Sequence, residues 1–175
     1  PGYAAFMAGL FGPDWTAPLN AVSGATFSIL AFISVLAITY KYVEAEGGDA
    51  IMASILALST FLIVLPPTIV SKGGETVADV IPKAWAGSNG VITAILVSFI
   101  VAWTVCYCEK NHIGIKMPDA VPGGVAKAFE ALTPGMILFT GGAVIYGLCH
   151  YIGATTFPEL IFKIVQTPLQ GLSDT

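Results

Sequence analysis

The charged residues of this chain are confined to short segments, and between them lie four stretches free of Asp, Glu, Lys and Arg. These are Leu19 to Tyr40, Ala50 to Leu65, Gly90 to Cys108 and Leu132 to Ala154. Crossing the hydrocarbon core of a bilayer takes about 20 mostly apolar residues. In lipid every backbone N–H and C=O must be paired within the protein, so such stretches fold as helices. Only 10% of the 175 residues are charged and 55% are hydrophobic, whereas a soluble domain carries about 25% charge. That composition excludes most soluble enzymes and a disordered chain. A net charge of −4 argues against a basic nucleic-acid-binding face. The expectation is an all-α, polytopic membrane helical bundle over 1–175, with four to five spans and short amphipathic interfacial helices. Candidate spans are 19–40, 50–70, 90–108 and 132–154, and the better amphipathic helix is 157–166.

The second stretch is ambiguous, because its apolar run stops at Pro66-Pro67. It either spans with the prolines included, tilts, or packs as a short helix inside the bundle. The segment before Leu19 is apolar but broken by Gly9, Gly12, Pro13 and Pro18, and Gly12-Pro13-Asp14 reads as a turn. The chain opens on Pro1-Gly2-Tyr3 without a signal-peptide pattern, and reads as a piece of a longer chain or a processed one. Lys41 and Lys110 sit at span ends, with Lys116 and Lys127 in the third loop. This lysine bias assigns the first and third loops to the cytoplasm. Thr156-Phe157-Pro158-Glu159 has capping-box spacing. Phe157, Leu160, Ile161, Ile164 and Val165 come at helical intervals, and Thr167-Pro168 is predicted to end that helix.

Residues that could carry chemistry are scarce. An ionisable group inside a span is the usual mark of a proton relay or substrate site, and only His150 comes near one. Cys106, Cys108 and Cys149 lack zinc-site spacing and read as small apolar fillers. Gly73-Gly74 and Gly123-Gly124 lack the lysine of a phosphate loop. No catalytic residue, metal ligand or cofactor is expected in these residues. Ser23, Gly24, Ala25, Thr26 and Ser28, and later Gly141-Gly142, permit close helix contacts; lining a polar path is the second reading.

The third loop is specific. Ile115 to Pro122 reads IKMPDAVP, and Val125 to Gly135 reads VAKAFEALTPG. This run resembles one in the lactose/cellobiose family of sugar permeases, the enzyme IIC components of the bacterial phosphotransferase system. The small-residue span Thr26 to Tyr40, Trp85-Ala86-Gly87 with Gly90, and Thr167-Pro168-Leu169 are similar to further family features. The resemblance extends over residues 19 to 173. Gly123-Gly124 and the lack of arginine in the loops depart from it.

The resemblance implies the partial N-terminal half of such a permease, a scaffold and dimerisation part that lacks the sugar-contacting residues of the other half. It implies a multi-pass protein of the bacterial plasma membrane. Its partners would be the permease's own C-terminal half, a IIB component, a cellobiose-, lactose- or chitobiose-like sugar, and a second copy. A non-transporting scaffold, dimerisation module or remnant is the alternative. Independently of any family, Pro118 and Pro122 forbid a straight helix from the third span to the fourth. Lys116, Pro118, Asp119, Val121 and Pro122 therefore read as a cytoplasmic elbow, with docking of IIB as the sharper alternative.

Overall fold

The computed structural model describes residues 2–12, 14–70, 75–78, 80–115, 122–153 and 156–173. They form an α-helical bundle. In chain order the helices are α1 (Gly2–Phe11), α2 (Ala17–Ala25), α3 (Leu30–Ala45), α4 (Ala50–Val64), α5 (Lys83–Ala86), α6 (Val91–Lys110), α7 (Gly123–Glu130), α8 (Leu132–Gly153) and α9 (Phe157–Ser173). A small antiparallel hairpin, β1 (Thr68–Val70) with β2 (Thr76–Ala78), lies between α4 and α5 and pairs Ile69 with Val77.

The core is the meeting of α3, α4 and α6. Ala31, Val35, Thr39 and Val43 are buried at four-residue spacing and draw one stripe down α3. Facing it are Ala53, Ala57 and Phe61 of α4, and Ala94, Val101 and Ala102 of α6. Lipid is as apolar as these side chains, so close packing of small residues, rather than escape from water, holds such helices together. The Ser98 hydroxyl donates to its own-helix Ala94 carbonyl at 2.6 Å and lies 3.3 Å from the Val35 carbonyl of α3. Ser54 makes the same pair of contacts, to Ala50 at 2.7 Å and to Leu36 of α3 at 3.4 Å. Phe61 meets Phe32 edge to face at 5.8 Å.

These contacts set the directions. Ser98 beside Val35 and Lys110 beside Glu46 make α3 and α6 parallel. Ser54 beside Leu36 and Phe61 beside Phe32 make α4 antiparallel to α3. Added Cβ atoms on Gly135 and Gly142 of α8 would each lie 3.2 Å from α4, at Leu56 and at Ile63 respectively. So α8 runs parallel to α4, packed through its glycines.

Three helical runs, Ala17–Ala45, Ser88–Lys110 and Gly123–Tyr151, are long and apolar enough to cross a membrane. The ambiguous stretch, 50–70, is the exception. α4 has 15 residues, about 22 Å at about 1.5 Å per residue, against a hydrocarbon core of about 30 Å. It packs as a short inner helix, with eight of its residues buried. Pro66-Pro67 has no N–H to continue the ladder, and the chain turns into β1 instead.

Two other expectations change. The stretch 19–40 is broken, because α2 ends at Ala25 and the turn Phe27–Ile29 intervenes before α3. The break accommodates the α5–α6 junction, where a Cβ on Gly87 would lie 3.1 Å from the Phe27 carbonyl oxygen. The helix predicted at 157–166 does not end at Thr167-Pro168 but continues through it to Ser173. Its start carries half of the capping box. The Thr156 N–H donates to Glu159 Oε2 at 3.2 Å, while the buried Thr156 Oγ1 has no hydrogen-bond partner among the described residues.

Candidate functional site

Lys116, Pro118, Asp119 and Val121 of the predicted elbow lie outside the described residues. Pro122 is described, and its carbonyl accepts from the N–H of Val125 at 2.9 Å and of Ala126 at 3.1 Å. It therefore starts α7, a position where a missing N–H costs nothing. On the near side of the elbow, α6 ends in a Schellman motif. The Ile113 N–H reaches back to the Cys108 carbonyl at 2.8 Å, and the His112 N–H reaches Glu109 at 3.1 Å. His112 takes the left-handed position with φ 51°, a place usually given to glycine.

The same motif closes α3. Gly47 has φ +80°, and the Gly48 and Gly47 N–H groups bond the carbonyls of Val43 at 3.0 Å and Glu44 at 3.1 Å. The turn delivers Asp49 to the start of α4, where its Oδ1 accepts from the Met52 N–H at 3.1 Å as an N-cap. Because α3 and α6 are parallel, both ends arrive together. Glu109 Oε1 accepts from the Asp49 N–H at 3.2 Å, and Lys110 pairs with Glu46 at 2.5 Å. A side chain on Gly48 would collide with the Glu109 carboxylate and approach Val43 Cγ1 to 2.9 Å. The α3–α4 turn and the end of α6 are thus joined in a clamp by an exposed ion pair and a backbone-to-carboxylate hydrogen bond, on either side of a glycine that permits the approach.

Between this clamp and the start of α8 lies a cavity of about 390 Å³. Asp49, Glu109, His112 and Glu130 stand among its lining residues, and Met52, Leu56 and Pro134 supply apolar wall. Asp49 and Glu109 already accept backbone hydrogen bonds, so what they do here is fix the start of α4 against the end of α6. The contacts of Glu46, Gly48, Glu109 and Lys110 across these two chain ends were missed by sequence reasoning. Their signal was the bunching of Glu44, Glu46, Asp49, Glu109 and Lys110 at the two loops assigned to one side.

At the other end the Trp85-Ala86-Gly87 and Gly90 motif acquires a reason. A Cβ on Gly90 would overlap the Trp85 carbonyl oxygen and lie 3.4 Å from Ala31 Cβ. Only a glycine lets α6 start under α5 and against α3. The Trp85 ring then meets Phe162 of α9 edge to face at 5.9 Å. Of the cysteines, Cys106 and Cys108 are buried, Cys149 is half-buried, and all are free thiols.

The family model described as "Phosphotransferase system, EIIC" matches residues 3–172. The lichenan permease IIC component of Bacillus subtilis (strain 168) is 32% identical over 180 residues, which span 98% of this chain and 39% of that protein. The cellobiose-specific EIIC component of the PTS system of Geobacillus stearothermophilus is 30% identical over 177 residues, with the same 98% and 39% shares. The crystal structure of the transporter ChbC, the IIC component from the N,N'-diacetylchitobiose-specific phosphotransferase system, matches with a TM-score of 0.88 and 33% identity. That match covers 100% of this chain and 42% of ChbC. The chain spans about two fifths of the length of these relatives.

Proposed function

Because this chain belongs to the EIIC family of the phosphotransferase system, we propose that it forms the N-terminal scaffold half of a membrane permease for a cellobiose- or chitobiose-type disaccharide. The sugar would be phosphorylated as it enters by a IIB partner at the cytoplasmic face of a bacterial plasma membrane, which the chain crosses several times. The observation that carries this reading is the match of the whole chain to ChbC at a TM-score of 0.88.

The geometry supports a division of labour. The buried polar groups of the α3–α4–α6 core are hydroxyls of Ser and Thr, which stiffen helix contacts and do not move protons. Phosphoryl transfer and the sugar site at which it occurs would then belong to IIB and the C-terminal half. In this reading the elbow of Lys116, Pro118, Asp119, Val121 and Pro122 faces the cytoplasm, and the charge clamp beside it holds it still for IIB. Two copies would associate through this half.

The test is phosphoenolpyruvate-dependent accumulation of phosphorylated cellobiose and chitobiose. It uses cells that carry the general phosphotransferase proteins but no β-disaccharide permease of their own, and that express the intact polypeptide containing this sequence. Accumulation of either sugar phosphate is expected. Membrane-inserted protein with no accumulation of either would defeat the permease reading and leave the non-transporting scaffold.

A further inference from the structure

At the end of the bundle away from the charge clamp, a second cavity of about 430 Å³ opens between the end of α4, the segment after the hairpin, and α8. Small-ligand pockets run from about 300 to 1,000 Å³. Leu62, Pro66 and Pro67 form one wall, Ile81 and Pro82 another, and Tyr146 of α8 closes it. The prolines bring ring faces and no N–H, and the carbonyls of Pro67 and Pro82 already accept from Val80, Trp85 and Ala86. Among the described residues, the one polar side chain in the lining is the Tyr146 phenol. Such a wall is apolar, short of backbone donors and faced with flat rings. It suits a ligand that supplies its own hydroxyl donors along an edge and presents C–H groups on its faces.

Tyr146 is also the inner member of a run of rings. Its ring stacks on His150, one turn further along α8, with centroids 6.4 Å apart and planes 5° apart. Tyr151 closes on His150 edge to face at 6.0 Å and is itself 90% exposed. Rings therefore lead from the exposed end of α8 to the cavity wall.

We propose that this cavity and its aromatic approach form an outer subsite for one pyranose ring of a β-linked disaccharide. The proposal rests on the permease reading and deepens it. In a β-linked pyranose the ring substituents are mostly equatorial, so its two faces are C–H surfaces and its hydroxyls lie around the edge. Such a ring lies flat on Tyr151, His150 and Tyr146 in turn, and an edge hydroxyl donates to the Tyr146 phenol oxygen at the cavity. The subsite would load sugar before the transport step and would take no part in phosphorylation.

The test uses the intact polypeptide in membranes and compares parent, Tyr146→Phe, Tyr146→Ala and Val80→Trp, the last of which fills the cavity. Uptake kinetics for cellobiose and chitobiose are read together with equilibrium binding of radiolabelled cellobiose in the absence of phosphoryl donor. Val80→Trp and Tyr146→Ala are expected to raise KM and the binding constant about tenfold, the size of one lost hydrogen bond with its packing, with maximal rate kept within twofold. Tyr146→Phe should fall between them and the parent. If Tyr146→Ala does not fold, the other two variants decide the matter. A folded Val80→Trp protein with KM and binding within twofold of the parent overturns the subsite. So does release of a co-purified lipid by Val80→Trp with sugar kinetics unchanged, because the cavity would then hold an acyl chain. A parent that takes up neither sugar defeats the permease reading itself, and the subsite with it.

Discussion

Replacing Gly90 by Ala should be among the most damaging single-methyl additions in this chain. The added Cβ would overlap the Trp85 carbonyl oxygen and lie 2.9 Å from its carbon, whereas ordinary contact begins at 3.4 Å. Clearing the carbon alone requires a shift of 0.5 Å, the difference of those two distances, and clearing the oxygen requires more. The obstacle is backbone, so no rotamer change relieves it. Ala31 of the buried α3 stripe is already in contact with the added Cβ, at 3.4 Å. Overpacking a tight site costs about 1–3 kcal/mol, and a backbone obstacle puts this case at about 3 kcal/mol. That is a change on the order of 10²-fold in the folding equilibrium. The assay is an SDS titration of the intact protein in mixed micelles, monitored by circular dichroism. Gly124→Ala is the matched control, because nothing lies within 4 Å of its added Cβ, and it should be neutral or stabilise by up to about 1 kcal/mol. If Gly90→Ala unfolds within about 0.5 kcal/mol of the parent, the close approach of α5, α6 and α3 is wrong.

Thr39→Val should stabilise the protein by about 1 kcal/mol in the same titration, because the buried Thr39 Oγ1 has no hydrogen-bond partner among the described residues and leaving it so is costly; a loss of stability would mean that the hydroxyl has one. Phe61→Ala should cost about 3–5 kcal/mol through the void it leaves against Phe32, and a cost under about 1 kcal/mol would place Phe61 outside the packed core. Gly48→Ala should cost about 1–3 kcal/mol. Combining it with Glu109→Ala should recover part of that loss, because both act on one contact; strict additivity in the double variant would dissolve the clamp.

The helical bundle was legible because a charge-free run of that length has few ways to satisfy its backbone. α6 and α8 lie over the runs that begin at Gly90 and Leu132. Less legible was everything decided by a neighbour distant in sequence. Nothing in Thr26-Phe27-Ser28 forbids a helix, and the break there belongs to the seating of Gly87 against Phe27. The Trp85 to Gly90 motif was visible as spacing, but its meaning needed the contact with Ala31. The clamp joins Glu46 to Lys110 and Asp49 to Glu109, pairs some sixty residues apart, and no local pattern announces such a pairing. Pro122 stands at the start of α7, a place a proline favours by itself, since its effect on its own backbone is local.

The shortness of α4 has a consequence for where lipid can lie. A helix of 15 residues leaves several ångströms of bilayer depth to be filled by the next part of the chain. That part is a two-stranded ribbon with three residues to a strand, and such a ribbon has open edges on both sides. An unpaired peptide group facing hydrocarbon costs several kcal/mol. The ribbon therefore stands in water, in headgroups or against protein, and acyl chains are kept from that flank. Whatever covers the exposed Phe99, Trp103 and Tyr107 of α6, the ring of lipid around this bundle has to be interrupted beside the hairpin.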